Sequence, residues 1–438
     1  MLTAETFRDD DTQSTQCTIH SRKKGKKVMA KSVFSNVQAG LPIAVFQLTI
    51  DYKADTSPLK VNLGVGAYRT DDGVPWVLPV VRQVEEQMAA DRSLDHEYLP
   101  ISGLQDFTSG AVRMILGDDS PAIVQNRALG FQALSGTGAI RLGADFIHKH
   151  LNGNVAYVPV PTWPNHYGIF QKAVQYKEVR TYRYWRAESR DLDFEGMAED
   201  IKAAPEGAVI ILHACAHNPT GVDLTTDQWK KIAEIVQERK LLPFFDCAYI
   251  GFATGDVEKD SWAVRYFVSK GIEFFAAQSF SKSFGLYNER VGNLTVVMNN
   301  ADYKNRIKSQ MELIARAMWS NPPNHGARIV ATVLNNPALY KQWQGHIKEM
   351  SSRVFSMREM LYQHLKSLGT PGTWNHIVDQ IGMFTFTGLG PKQVQGLRNR
   401  HHIYCLSTGR INMCALTTKN VEHVAKAIHD VVTTITED

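Results

Sequence analysis

Lys282 stands in the run Ser279-Phe280-Ser281-Lys282-Ser283-Phe284-Gly285-Leu286-Tyr287-Asn288-Glu289-Arg290. It lies just past an apolar stretch, Ile272 to Ala277, whose composition predicts a buried strand. An amine at the end of a buried strand is poorly solvated, and both desolvation and a neighbouring cation favour its neutral form. A partly neutral amine can condense with an aldehyde to a Schiff base. The serine hydroxyls and Arg290 suit a phosphate, so the run matches a ligand carrying both groups, and pyridoxal phosphate is such a ligand. A loop lysine taken alone is most often a solvated charge. Ser-x-x-Lys also occurs in serine-nucleophile enzymes, but neither Ser-Asp-Asn nor Lys-Thr-Gly is present in this chain.

Other stretches supply complementary chemistry. Ser135-Gly136-Thr137-Gly138-Ala139 precedes a helical pattern. Glycines and hydroxyls at a helix start present backbone N–H groups and a favourable dipole to an anion, although an ordinary capped helix start reads the same way. Without Gly-Lys-Ser/Thr it is not a Walker loop. Asp246, in Phe244-Phe245-Asp246-Cys247-Ala248-Tyr249, places a carboxylate at the end of an apolar run, where it needs a partner. A pyridinium N–H is one possibility, a helix cap or a metal another. His213-Ala214-Cys215-Ala216-His217-Asn218-Pro219-Thr220-Gly221 reads as a turn after a strand, with Asn218 able to donate to a ring oxygen. The His213/His217 spacing could suggest a metal pair, but the Pro-Gly turn disfavours a shared helix face. Arg316 and Arg410 are single arginines, and two such forks would suit a dicarboxylate.

These groups need elements to hold them. From Pro79 to Asn299, short apolar runs alternate with amphipathic stretches. Val155–Val160, Ala208–His213, Leu241–Phe245, Ile272–Ala277 and Asn293–Met298 are expected strands, and Thr226–Arg239 an expected helix. That alternation predicts an α/β fold with a largely parallel sheet, whose ligands gather at the carboxyl ends of strands. The tail predicts a smaller α+β part: a helix over Met350–Leu368, strands at Met383–Thr387 and Arg410–Leu416, and a closing helix over Val421–Ile435. The 438 residues are 44% hydrophobic and 21% charged, ample for a large core. Most of the net charge of +4 falls in residues 1–31, with seven Lys/Arg against four Asp/Glu. The rest is near neutral, with no general bias toward nucleic acid or anionic membrane. No apolar run has the length of a membrane span. Five widely spaced cysteines, with no Cys-x-x-Cys, suggest neither a disulfide framework nor a zinc site and fit a reducing compartment. Residues 1–31 are polar, lack an apolar h-region and carry the cluster Arg22-Lys23-Lys24-Gly25-Lys26-Lys27. They read as a disordered extension rather than a secretory signal, and Met29 is a candidate internal start.

Taken together, the motifs resemble the cytosolic branch of the aspartate aminotransferase family, class I, fold-type I pyridoxal-phosphate enzymes. The resemblance runs from about Ser32 to the C-terminus. It is carried by Val61-Asn62-Leu63-Gly64-Val65-Gly66-Ala67-Tyr68-Arg69, the His213–Gly221 turn, the Ser279–Thr295 run and Gly409-Arg410-Ile411-Asn412-Met413-Cys414. It implies a large domain, residues 76–349, with a mostly parallel seven-stranded sheet. It also implies a small α+β domain, residues 350–438, joined by an N-terminal arm and segment, residues 32–75. Lys282 would bind the cofactor aldehyde and shuttle the substrate proton. Asp246 would pair with the ring nitrogen, with His166 and His213 behind it. Tyr249 and Asn218 would hold the ring oxygen, and Trp163 would stack on the ring. Ser135, Gly136, Thr137, Ser279 and Arg290 would bind the phosphate, with Tyr98 from a neighbouring subunit. Arg410 would take the α-carboxylate and Arg316, from the other subunit, the distal one, with Gly66 lining the substrate site. The implied protein is a cytoplasmic homodimer with shared sites, no metal, and dicarboxylic amino acids and 2-oxo acids as substrates. Aspartate, 2-oxoglutarate, oxaloacetate and glutamate are the implied set. The alternatives are a broader aromatic or sulfur amino-acid aminotransferase and a catalytically silent binding paralogue. Ser283, Ile250, Pro164 and Cys405-Leu406-Ser407-Thr408 depart from the family pattern without removing a catalytic group, and they bear on fine substrate preference.

Overall fold

The computed structural model describes residues 32–437. The basic cluster Arg22–Lys27 and the candidate start at Met29 lie outside the described residues. The chain divides into two units, one ending at Pro42 and one running from Ile43 onward. In the first, Val33, Phe34, Val37 and Leu41 are exposed, and a short turn is closed by Val37 N–H donating to Phe34 O.

The second unit is organised by a seven-stranded sheet. In chain order its strands are β1 (Ala128–Leu134), β2 (Val155–Val160), β3 (Glu178–Arg183), β4 (Val209–His213), β5 (Leu242–Cys247), β6 (Phe274–Ser279) and β7 (Val291–Val297). The spatial order is β1-β7-β6-β5-β4-β2-β3. β7 is antiparallel to both its neighbours, and every other pairing is parallel. The central strands are apolar on both faces because helices cover both. Consecutive residues alternate between the two cores: Phe245, Phe274 and Ile210 pack on one side, Phe244, Phe275 and Ile211 on the other. On the second side lies α1 (Ser135–His150), with Ile140, Leu142, Phe146 and Ile147 turned inward. Gly143 lets α1 approach, since a Cβ there would meet the Phe244 ring at 2.6 Å. On the first side, α2 (Thr226–Glu238) begins in a Thr225/Gln228 capping box and buries Trp229, Ile232, Ala233 and Val236.

The remaining helices used below are α3 (Lys304–Met318), α4 (Pro337–Ser367) and α5 (Val421–Thr434). α4 is longer than the Met350–Leu368 helix expected from sequence. Asn336 caps its start by accepting from Ala338 and Leu339 N–H, and Pro337 occupies its first turn. Against its C-terminal half sits a two-stranded pair, β8 (Phe384–Phe386) and β9 (Arg410–Asn412), with Phe386 opposite Arg410. β9 is shorter than expected, because the Asn412 side chain accepts from Cys414 N–H and turns the chain into a 3-10 helix, Met413–Ala415. Val61–Asn62 pairs in parallel with Ile403–Tyr404, which ties the Gly64–Tyr68 segment to this C-terminal part. No helix among the described residues is long and apolar enough to cross a membrane.

Candidate active site

Six strands run one way, so their carboxyl ends form one rim, and β7 begins at that same rim. Ser135 follows β1, Thr162 and Trp163 follow β2, and His213 ends β4. Asp246 is the penultimate residue of β5, Ser279 ends β6, and Arg290 precedes β7. The topology therefore gathers most of the sequence-predicted residues.

A buried chain of hydrogen bonds backs Asp246. Its proton directions follow from the one group that can only donate, the Asn218 backbone N–H, 3.3 Å from His213 Nδ1. His213 Nε2–H then donates to Thr162 Oγ1 at 3.2 Å, leaving the Thr162 hydroxyl to donate to His166 Nδ1 at 2.8 Å. His166 Nε2–H is thereby directed at Asp246 Oδ2, 3.2 Å away. Burial works to raise the Asp246 pKa. The hydrogen bond from His166 and the nearby Lys282 amine outweigh it and hold the carboxyl below its ordinary value. Burial keeps His213 and His217 neutral. His217 stacks on Tyr184 at 3.8 Å and meets His213 tilted at 4.2 Å, with Nδ1 bonded to Thr220. The pair thus packs as rings, and among the described residues no group of three or more His, Cys, Asp or Glu side chains is arranged to hold a metal. The Trp163 ring meets His166 edge-on at 5.4 Å.

At the other end, α1 opens on a hydroxyl-lined first turn that suits an anion. Its first turn contains no acidic residue, and Ser135, Gly136 and Thr137 occupy it. Ser135 Oγ lies 3.0 Å from both Ser279 Oγ and Ser281 Oγ. Ser135 has φ +61°, and its N–H donates to Arg290 O at 3.0 Å. Arg290 is exposed, and its Nη1 donates to Tyr287 O. This proximity requires glycine at 292, because a Cβ there would lie 2.3 Å from the Ser135 carbonyl carbon. Gly292→Ala is expected to cost about 1–3 kcal/mol through overpacking against backbone. Urea unfolding of the cofactor-free protein measures it, and cofactor affinity should fall in parallel as Ser135 is pushed away.

Lys282 lies between these ends, its Nζ 5.0 Å from the Tyr249 ring centroid. Burial lowers its pKa, the Asp246 carboxylate opposes this, and Arg290 adds to it. Burial raises the Tyr249 pKa, so its phenol stays protonated.

Arg410 is 7% exposed. Its Nη1 donates to Asn218 Oδ1 at 3.3 Å and its Nη2 to Gly64 O at 2.7 Å, while Nε has no partner. The guanidinium lies 4.1 Å over the Phe384 ring. Burial pulls its pKa down to about 10, so it remains a cation at neutral pH. Among the described residues no carboxylate pairs with it, which leaves a buried cation with free donor capacity. Gly66 packs against the same ring, where a Cβ would meet Phe384 Cζ at 2.7 Å. Asn412 Nδ2 secures that segment through Val65 O and Ala67 O.

Tyr98 and Arg316 stand apart from this group. Tyr98 is 82% exposed, and Arg316 is exposed at the end of α3. They share one patch: Arg316 donates to Ser320 Oγ, Ser320 to Asn321 Oδ1, and Asn321 Nδ2 to Leu99 O. Sequence reasoning did not single out Thr162 or Phe384 as site residues. Thr162 lies two residues past the end of β2, and the strand-end rule that found Asp246 applies equally to it.

The residues fit pyridoxal phosphate: a buried carboxylate for a ring N–H, a lysine with a lowered pKa for an aldehyde, and a hydroxyl-lined helix start for a phosphate. Fold and site together define a fold-type I pyridoxal-phosphate-dependent enzyme. The chain belongs to the aminotransferase class I and II family, whose model matches residues 58–428. Enzymes of this family use pyridoxal phosphate. The chain is 58% identical over 412 residues to the cytoplasmic aspartate aminotransferase of Gallus gallus, covering 93% of this chain and 100% of that one. It superposes on the aspartate aminotransferase from Saccharomyces cerevisiae cytoplasm with TM-score 0.90 at 44% identity, over 92% and 99% of the two chains. An aromatic-amino-acid aminotransferase from Burkholderia pseudomallei, covalently bound to pyridoxal phosphate, gives TM-score 0.88 at 41% identity, over 92% and 100%.

Proposed function

We propose that the protein is an aspartate aminotransferase. It moves an amino group reversibly between L-aspartate and 2-oxoglutarate, giving oxaloacetate and L-glutamate by a ping-pong sequence. The observation that carries this reading is Arg410, a buried guanidinium with no counter-ion among the described residues, with a donor left over beside Asn218 and the Gly64–Gly66 segment. The relatives named as aspartate aminotransferases support it.

Bound pyridoxal phosphate supplies the aldehyde that carries the amino group and a ring that accepts electrons. Asp246, aligned by His166, Thr162 and His213, would hold the proton on the ring nitrogen. Asn218 and Tyr249 would hold the ring oxygen, and Trp163 would cover the ring. Ser135, Gly136, Thr137, Ser279 and Arg290 would fix the phosphate. Arg410 would orient the substrate α-carboxylate. The Lys282 amine would act as the base for the substrate Cα proton and carry that proton between the substrate and the cofactor.

The acting species is a homodimer in the cytoplasm. Arg316 is linked through Ser320 and Asn321 to the carbonyl of Leu99, next to the exposed Tyr98, and Phe46 and Ile50 are also largely exposed. In a dimer Tyr98 would reach the partner's phosphate and Arg316 the distal carboxylate of its substrate. Within each subunit, residues 76–349 would form the large cofactor-binding domain and residues 350–438 the small one, with residues 32–75 supplying an N-terminal arm and part of the small domain.

The visible spectrum of the purified protein tests this reading. Added aspartate should convert the cofactor band to that of the aminated cofactor. A protein that stays colourless after adding pyridoxal phosphate overturns it, and phenylalanine turning over as fast as aspartate would favour the broader-specificity alternative. Arg316→Ala should lower kcat/KM for aspartate by about 100-fold, the scale of a lost charge-assisted pair. Its effect on alanine should stay within about threefold, since alanine has no distal carboxylate for Arg316 to meet.

A further inference from the structure

Arg358 lies in the C-terminal half of α4 and is 1% exposed. Among the described residues no carboxylate pairs with it. It donates instead to three backbone carbonyls and a hydroxyl on one short stretch: Nη1 to Ile377 O at 2.8 Å and to Thr385 Oγ1, and Nη2 to Gly382 O at 2.9 Å and Phe384 O at 2.6 Å. Burying a guanidinium without a counter-ion is costly, and its planar fork is the side chain able to satisfy several fixed acceptors at once.

The stretch it holds carries Phe384, which lies against Arg410, the residue proposed above for the substrate α-carboxylate. The Phe384 ring underlies the Arg410 guanidinium, faces Gly66 and meets Tyr249 edge-on at 6.5 Å. On its other side the stretch is pressed against the turn that carries Asn218. Ile381 N–H donates to Gly221 O at 2.7 Å, a Cβ at Gly221 would lie 2.8 Å from Phe384 O, and one at Gly382 would meet the Ala216 Cβ at 2.4 Å. With that turn in front and Arg358 behind, residues 377–385 have little room to shift. β8 and β9 are paired, so a displacement of Phe384 would carry to Arg410.

We infer that Arg358 is a positioning residue for the substrate α-carboxylate site, fixing Phe384 and through it the Arg410 guanidinium. Resting on the aminotransferase reading above, this predicts a defect in carboxylate binding rather than in the proton transfer that Lys282 performs. The retained cation keeps this stretch in place without touching substrate. Burial lowers its pKa only to about 9, so it stays charged at neutral pH.

The test uses the holoenzyme and succinate, a dicarboxylate with no amino group to react, titrated calorimetrically. Arg358→Met should weaken succinate binding at least tenfold and raise the KM for aspartate similarly. Its kcat should stay within about threefold and its cofactor absorbance should be unchanged. Arg358→Lys, which keeps the charge but not the fork, should recover only part of the affinity. Thr385→Val removes one acceptor without changing volume and should weaken succinate about threefold, which provides a reading if Arg358→Met does not fold. Variants that bind succinate like the parent protein overturn the inference, as does a loss confined to kcat. A parent holoenzyme that binds no succinate overturns the aminotransferase reading as well.

Discussion

Lys282→Ala is expected to lower kcat for aspartate by at least about 10⁴-fold, the upper range of a positioned proton-transfer group, with the fold intact. The alanine variant loses two functions at once, the amine that anchors the cofactor and the base that reaches Cα. No neighbour replaces the base. The Tyr249 phenol, 5.0 Å from Nζ by its ring centroid, has its pKa raised by burial and so holds its proton. Asp246 is held ionised by its hydrogen bond from His166 and, in the proposed mechanism, would serve the far end of the ring. Stability should not fall, because the substitution removes a group whose charged form burial disfavours. Linkage gives the sign. The folded pKa of Lys282 lies below its unfolded value, so the unfolded chain binds the proton more readily, and this residue makes wild-type stability rise with pH between the two values. The alanine variant should lack that slope, and its melting temperature should match or exceed the wild-type value at pH 7. Cofactor should still bind weakly, through Ser135, Ser279 and Arg290, and dialysis should strip it faster than from wild type. Turnover within tenfold of wild type would remove Lys282 from the mechanism.

The chemistry was legible wherever a polar residue interrupts an apolar strand or follows it. Asp246 in β5 and Lys282 after β6 stand out against their surroundings for that reason, and the strands themselves were found because helices cover them on both faces. Two strands of the seven-stranded sheet were missed, for opposite reasons. β3 is an edge strand with the pattern Glu178-Val179-Arg180-Thr181-Tyr182-Arg183, and its polarity reflects exposure on one side. β1 contains Gly130 and Gln132, which weaken its apolar signature. Gln132 is nonetheless fully buried, because its amide accepts from Leu104 N–H and donates to Pro323 O. Such partners are 28 and 191 residues away and leave no local trace. Thr162 has the same difficulty: one hydroxyl after a strand becomes meaningful only when His166 and His213 converge on it. Arg358 was readable in principle, since it falls on the stripe Val354, Met357, Leu361 and Leu365 that α4 buries. The start of α4 at Asn336-Pro337 was also available from its capping signal.

Asp246→Asn should leave the packing at the carboxyl end of β5 intact and lower kcat by about 10²–10³-fold, the scale of losing one preorganised electrostatic contact. The amide is nearly isosteric, and its oxygen can still accept from His166 Nε2–H, so the chain through Thr162 and His213 to the Asn218 backbone keeps its proton directions. Only the negative charge is lost, and with it the means of keeping a proton on the ring nitrogen while electrons move toward the ring. KM for aspartate should change little, because Arg410 and the Gly64–Gly66 segment are untouched. A pH series separates this electrostatic role from a structural one. The folded carboxyl has a pKa below its unfolded value, so its contribution to stability is present above the unfolded pKa, near 3.9, and is lost as pH falls through the folded one. The difference in melting temperature between wild type and the asparagine variant should therefore stay constant from pH 8 to about pH 5 and change only below about pH 4. The difference in kcat should persist across the whole neutral range. A kcat defect that vanished at neutral pH, or that tracked the melting temperature, would show that Asp246 serves the fold and not the ring.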